Sequence, residues 1–405
     1  MKILVLYPYP LNPSGLSIQG HYLAKGLKEL GHEVMPCDRG NTLQKIYAYK
    51  TFKPDVVIGV GYWGETPEVI ISPQNHGLVP VPWFNADGWI ANYHTILNSL
   101  PLIVANSNWV KKVYMRDGVK GDNIYICHIG YDPEIFYPLP KDNERIRKLR
   151  SLLGIGDDEK MIFTAGGDVT SKGAQEMLRA IAQIRDKFPR WKYVLKVADR
   201  EGFTADDYSG EEDKLVKELG LEKHRIIYLR GDYSSEFMAD LLRACDIYAA
   251  PSRIEGFGMI QVEAMACGKP VISINVGGPA DTVVHGKTGF LAEPEKEIKL
   301  NSEWAYSWMG FEETHRIEFD KPKTFAYRAN VDQLAEYTLK LLTDDKLQEE
   351  MGKNAAEHAL EKFHYRVTAK IMSDLIEEHI FHKKADEKLQ IHVSAPEAKI
   401  HPHYK

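Results

Sequence analysis

What most limits the folding of this chain is a series of short runs that are apolar almost throughout and end in glycine, proline or a polar turn. Residues 2–7 form the first, and 55–61, 78–83, 103–106 and 124–128 follow. A strand with one wet face alternates, whereas a strand buried on both faces, as in a parallel sheet, reads as a continuous apolar run. A second series occupies 161–165, 193–198, 226–230, 247–250 and 271–274. Helical patterns lie between the runs, such as Ile18, Tyr22, Leu23, Leu27 and Leu30 on one face, closed by Gly31. The alternation predicts two parallel α/β units, and 405 residues suffice for two domains with separate cores.

One stretch of the second unit concentrates the chemistry. After the run ending at Ala250, Pro251 and Ser252 break the strand, Glu255-Gly256-Phe257-Gly258 forms a loop, and a helix runs from about 258 to 267, ended by Gly268 and Pro270. Glycines let the backbone approach a ligand, and the unpaired N–H groups of a helix start favour polar or anionic oxygens. Glu263 lies about a turn and a half into that helix, so both carboxylates can face one cleft. Carboxylates only accept hydrogen bonds, which suits a ligand rich in hydroxyls. Upstream, Gly166-Gly167 ends a strand and Lys172-Gly173 opens a helix, a combination of amides and one cation suited to a diphosphate. Arg230-Gly231-Asp232 ends another strand at the edge where such sheets bind ligands.

These residues resemble the retaining glycosyltransferases of family 4, glycosyl transferases group 1, whose mark is two glutamates with seven residues between them, the first within Pro-Ser-x-x-Glu-Gly-Phe-Gly. Every marked position from Pro251 to Glu263 matches. The resemblance implies a GT-B fold, an α/β architecture of two Rossmann-like domains facing a central cleft. It implies that Glu255, Gly256, Phe257 and Gly258 hold the donor sugar, that Glu263 holds the nucleotide ribose, and that Arg230, Gly231 and Asp232 border the base. It assigns Gly166, Gly167 and Lys172 to the diphosphate, with Glu255 and Lys172 as catalytic residues. The family's usual arginine is Gly167 here, leaving Arg253 and Arg230 as candidates for the second cation.

The resemblance continues through Gly130-Tyr131-Asp132, Phe136 and Pro138, then Gly277-Gly278-Pro279 and the stretch from Gly286 to Leu291. The first half matches less closely. Of the family's Gly-Gly loop near the donor phosphates only Gly15 is present, followed by Leu16, so the resemblance leaves Gly15 as the diphosphate contact there; where a histidine often stands near sugar and acceptor this chain has Asn85 or Asp87. Asp87 can bond an acceptor hydroxyl or simply turn the chain before Gly88. His76 reads as a surface residue. Gly59-x-Gly61-x-x-Gly64 satisfies a dinucleotide pattern but follows a later strand and precedes Thr66-Pro67, so a turn lining the interdomain cleft is the better reading.

The resemblance divides the chain into an acceptor-side domain over 1–150, a donor-side domain over 151–362, a helix at 363–384 crossing back, and a flexible tail at 385–405. A charged linker is expected at 141–150. The aromatic-rich segment at about 295–330 is long for a loop and reads as a self-packed flap, with an acceptor lid or subunit contact as alternatives. Lys111, Lys112, Arg116 and Lys120 read as a solvated helix face.

A net charge of −6 gives no support to a nucleic-acid binder. The 4 cysteines, widely spaced in apolar segments, read as buried reduced thiols. No run approaches the roughly 18 apolar residues of a membrane span, so a cytoplasmic protein is expected, with peripheral contact at the inner membrane face left open. Partners are a nucleotide-sugar donor and a hydroxyl acceptor. No cofactor is expected, and no D-x-D run asks for a metal. Competing readings are a nucleotide-sugar epimerase or hydrolase on the same plan, a non-catalytic sugar-nucleotide sensor and, more distantly, an NAD-dependent oxidoreductase.

Overall fold

The computed structural model describes residues 1–86, 88–198 and 205–382, with 205–209 as backbone alone. Asp87 and the expected tail at 385–405 lie outside the described residues.

The apolar runs assemble into two six-stranded sheets, parallel throughout. The first contains β1 (Lys2–Tyr7), β2 (Glu33–Asp38), β3 (Val56–Gly61), β4 (Pro80–Phe84), β5 (Ile103–Ala105) and β6 (Ile124–Ile126), in the order β2-β1-β3-β4-β5-β6. The second contains β7 (Lys160–Ala165), β8 (Trp191–Val197), β9 (Ile226–Arg230), β10 (Ile247–Ala249), β11 (Val271–Ile274) and β12 (Gly289–Ala292), in the order β12-β11-β10-β7-β8-β9. β3 and β4 are buried at every position, which is why their sequences do not alternate. The strand order reverses between β1 and β3 in one sheet and between β7 and β10 in the other. In such sheets ligands bind beyond the carboxyl ends of the strands at these reversals.

Three helices close the described chain: Val331–Thr343, Asp345–Phe363 and Tyr365–His379. The last lies against Gly15–Glu29 of the first unit, with Tyr365 Oη donating to Glu29 at 2.8 Å. A continuous apolar core runs from Ile3 and Leu27 through Tyr131 and Phe136 to Phe163 and Val262, joining the two units.

Two expectations are corrected. The charged segment at 141–150 is not an open linker: it enters a helix, Glu144–Leu152, whose Ile146 and Leu149 are buried. Arg150 donates to the carbonyls of Ala244 and Glu159 at 2.7 and 2.6 Å. Apolar residues three apart among the charges give that helix one packable face. The aromatic segment is not a self-packed flap. It forms an antiparallel ribbon, β13 (Pro294–Ala305) with β14 (His315–Ala329), that crosses to the first unit. Phe311 meets Trp63 edge-on, Phe319 meets Trp89, and Trp308 meets Tyr62, with centroids 6.5, 5.6 and 6.2 Å apart. Asp117 accepts from Lys323 at 2.9 Å, and Arg116 donates to Thr324 O at 3.1 Å. Arg116, read above as part of a solvated face, is one of the ribbon's anchors.

Candidate functional site

The carboxyl ends of the strands in the two sheets face one another across a cleft of about 630 Å³. The first unit contributes Ser14, Gly15, Leu16 and Gln19 after β1, Tyr62 after β3, Asn85 after β4 and Asn106 after β5. The second contributes Ile254 to Met259, the turn between β10 and the helix Met259–Ala266. Two helix starts therefore open on the same space, Gly15–Glu29 and Met259–Ala266, each with N–H groups that have no partner within the helix.

Glu255 and Lys172 meet beside this cleft. Lys172 Nζ donates to Glu255 Oε2 at 2.6 Å, and the two side chains are 23% and 19% exposed, so the pair is sheltered yet reachable. Its placement is built from backbone. Arg253 N donates to Ser171 O at 2.8 Å, tying the two loops together. Gly173 adopts φ +83, and a side chain there would come within 2.3 Å of the Pro251 carbonyl oxygen, so only glycine lets the lysine turn pack on the Pro-Ser turn. Gly258 caps the helix in the left-handed region at φ 95. Glu255 O accepts from Gly278 N at 2.8 Å, so the Gly277-Gly278-Pro279 turn braces the glutamate from behind.

The other site expectations divide. Gly166 is buried under Lys172: a Cβ at that position would stand 2.7 Å from Lys172 Cγ. Gly167 is exposed at the bend after β7. Phe257 is 2% exposed, its ring stacking on His128 with centroids 5.6 Å apart and its main chain packed against Gly278, where a Cβ would stand 2.3 Å from Phe257 Cα. Glu263 is 6% exposed, below the cleft surface, and burial pushes its carboxyl up to about 8. Arg230 ends the edge strand β9 and Gly231 and Asp232 follow it, apart from the residues lining the cleft. Arg253 is engaged elsewhere, donating to Gln175 at 2.9 Å and paired with Glu176 at 3.2 Å. The glycines at 59 and 61 make room for Val69 and Glu65 of their own loop, while Tyr62 turns to the cleft. Among the described residues no cluster of three or more His, Cys, Asp or Glu is arranged to hold a metal. The four cysteines are free and buried, and no described helix is long and apolar enough to cross a membrane.

Sequence reasoning passed over several residues. Ser107 donates to Gly256 O at 2.5 Å and Asn108 N to Asp281 at 2.6 Å, linking the two units beside the cleft. Lys196 on β8, whose carbonyl accepts from Gly166 N at 3.1 Å, is desolvated enough to lie below the usual lysine range. Gln19 and Asn106 are each 1% exposed and line the cleft. A polar residue at the carboxyl end of an apolar strand was the available signal for Asn106; Gln19 and Lys196 had none.

Residues 145–306 match the family model described as glycosyl transferases group 1. The D-inositol 3-phosphate glycosyltransferase of Corynebacterium jeikeium is 26% identical over 321 residues, covering 78% of this chain and 66% of that protein. Its counterpart in Corynebacterium glutamicum is 32% identical over 269 residues, covering 65% and 54%. The chain spans about half to two thirds of the length of these curated relatives. Among solved structures, sucrose-phosphate synthase from Thermosynechococcus elongatus aligns with a TM-score of 0.71 at 18% identity, covering 94% of this chain and 100% of that one. HepE of Anabaena, solved with UDP and glucose, gives 0.68 at 21% identity, covering 93% and 100%.

Proposed function

We propose, from the premise that residues 145–306 belong to the glycosyl transferases group 1 family and that the chain has the GT-B fold, that this protein is a retaining glycosyltransferase. It moves a sugar from a nucleotide-diphosphate donor to a hydroxyl acceptor. The observation that carries this reading is the Lys172–Glu255 pair at the mouth of a cleft where two strand-order reversals and two helix starts converge.

In this reading the donor diphosphate lies over Gly166, with the Lys172 ammonium taking up charge and Lys196 as a second cation from the adjoining strand. Glu255 and the amides of residues 256–258 hold the sugar hydroxyls, and Glu263 receives the ribose hydroxyls. The bond from the anomeric carbon to the diphosphate oxygen breaks with its electron pair going to that oxygen. The acceptor oxygen bonds to the same face of the carbon, and its proton passes to the leaving phosphate oxygen. The protein then supplies position and charge stabilisation, which need no dedicated base.

UDP-glucose is the first donor to test, since the HepE structure contains UDP and glucose, and inositol phosphate is one acceptor suggested by the relatives' names. A panel of UDP, GDP and ADP sugars is screened for a rise in melting temperature, then for release of nucleotide diphosphate with and without an added hydroxyl compound. Acceptor-dependent release supports transfer. Epimerised donor without an acceptor, or binding with no turnover, would each contradict it.

A further inference from the structure

The end of β13 and the turn after it gather both exposed tryptophans of the chain. Of the 7 tryptophans, Trp63, Trp83, Trp89 and Trp191 are buried, whereas Trp304 and Trp308 are 47% and 55% exposed. Tyr306 between them is 41% exposed, and the buried Ala305 separates Trp304 from Tyr306 in extended chain, so the two rings emerge on one side. The rings of Tyr306 and Trp308 are nearly parallel with centroids 5.8 Å apart, and Trp308 meets Tyr62 edge-on. Tyr62 lines the cleft, so this row of rings leads from the cleft out over the ribbon.

The row is held in place from the first unit. Asn92 Nδ2 donates to the carbonyls of Met309 and Gly310 at 3.3 and 3.2 Å. Gly310 lies in the left-handed region at φ +82, where a side chain would also collide with Tyr93 Oη. A Cβ at Gly64 would stand 2.9 Å from Tyr62 Cε2 and 3.4 Å from Trp308 Cζ3, so the last glycine of the 59–64 pattern makes room for the contact between cleft and ribbon. Large rings left in water by a fixed backbone mark a binding surface. Carboxylates surround them: residues 301–314 carry Glu303, Glu312 and Glu313 and neither lysine nor arginine. Aromatic rings that enter an anionic lipid surface come with cations, and these carboxylates would be repelled by one. A sugar ring fits both features. Its C–H face carries slight positive charge toward the negative face of an aromatic ring, and its rim hydroxyls donate to carboxylates.

We propose that Tyr62, Trp308, Tyr306 and Trp304 form a saccharide-stacking platform for the part of the acceptor beyond its reacting sugar, so that the acceptor is a glycan of several units rather than a free monosaccharide or simple polyol. This rests on the glycosyltransferase reading above. Tyrosine and tryptophan supply such area at little cost in side-chain entropy, and the seated turn lowers that cost further.

The test uses the full chain and the nucleotide sugar giving the largest thermal shift. Acceptor-stimulated release of nucleotide diphosphate is measured along gluco-, manno- and galacto-oligosaccharide series, from the monosaccharide upward. In at least one series kcat/KM is expected to rise about tenfold or more with length, the worth of one or two aromatic contacts. Trp304→Ala and Trp308→Ala should each remove most of that advantage through KM while melting within a few degrees of the parent, since both rings stand largely in solvent. Trp308→Tyr keeps a ring in place and should retain most of it. Binding of the longest oligosaccharides is followed separately by calorimetry without donor. Length-independent release in every series, or an advantage that survives both alanine variants, overturns the inference and leaves the transferase reading standing. Glycan binding without release from any nucleotide sugar overturns the transferase reading and leaves the platform, whereas neither binding nor release overturns both. A length-independent enzyme whose two alanine variants lose binding to phosphatidylserine vesicles, or lose a dimer seen in sedimentation, would give the rings to a membrane or a second copy and defeat the proposal.

Discussion

Lys172 and Glu255 neutralise one another beside the cleft, so each is held at little electrostatic cost to the fold. Both are partly exposed, and such pairs add little to stability. Lys172→Ala and Glu255→Ala should therefore melt within a few degrees of the parent yet lose about 10²–10³-fold in transfer, the usual cost of removing a group that stabilises developing charge. Near-normal turnover by either variant would refute its role. Glu263 behaves differently because burial raises its carboxyl from 4.5 to about 8. Between those values the unfolded chain has released this proton while the folded chain retains it, so folding stability falls as pH rises across that window. Glu263→Gln should flatten this part of the stability–pH curve. A slope identical to the parent's would show that Glu263 does not titrate high. Ribose hydroxyls donate best to the ionised carboxylate, so nucleotide binding near neutral pH should release a proton, measurable by calorimetry in buffers of different ionisation enthalpy.

The ribbon β13–β14 is the element that departs furthest from expectation. Its aromatic residues and interleaved charges were legible, but their destination was not. Phe311, Phe319 and Phe325 need an apolar surface, and the surface they find, Trp63 and Trp89, lies more than two hundred residues earlier in the chain. No local pattern encodes a pairing at that separation. Asp117 secures it: burial works to raise its carboxyl, but bonds from Arg116, Lys323 and the Ile90 N–H hold it below the usual range. A carboxylate held low contributes its stability above the unfolded value and loses it only as pH falls through the folded one, so the anchor stays intact at neutral pH. Lys323→Ala leaves a buried charge short of one partner and should cost about 1–3 kcal/mol. It should also increase the radius of gyration in solution scattering, because the ribbon spans both units. An unchanged scattering profile with full stability would reduce the ribbon to decoration.

At the scale of the whole molecule, the sheets were readable because parallel strands buried on both faces give continuous apolar runs, as β3 and β4 do. The motif from Pro251 to Glu263 was readable for a related reason: its glycines answer local backbone demands, such as the left-handed cap at Gly258. The opposing wall was less legible, since Gln19 sits within an ordinary amphipathic helix and gains meaning only when Asn85 and Asn106 arrive from other strands. What joins the halves is the placement of both strand-order reversals on one cleft. Amide hydrogen exchange, with and without a saturating amount of the best-binding nucleotide sugar, tests this most directly. Exchange is expected to slow at residues 166–173 and 255–259 together, on the two loops joined by Lys172 and Glu255. Unaltered exchange in both segments, or slowing confined to residues 59–64, would contradict it.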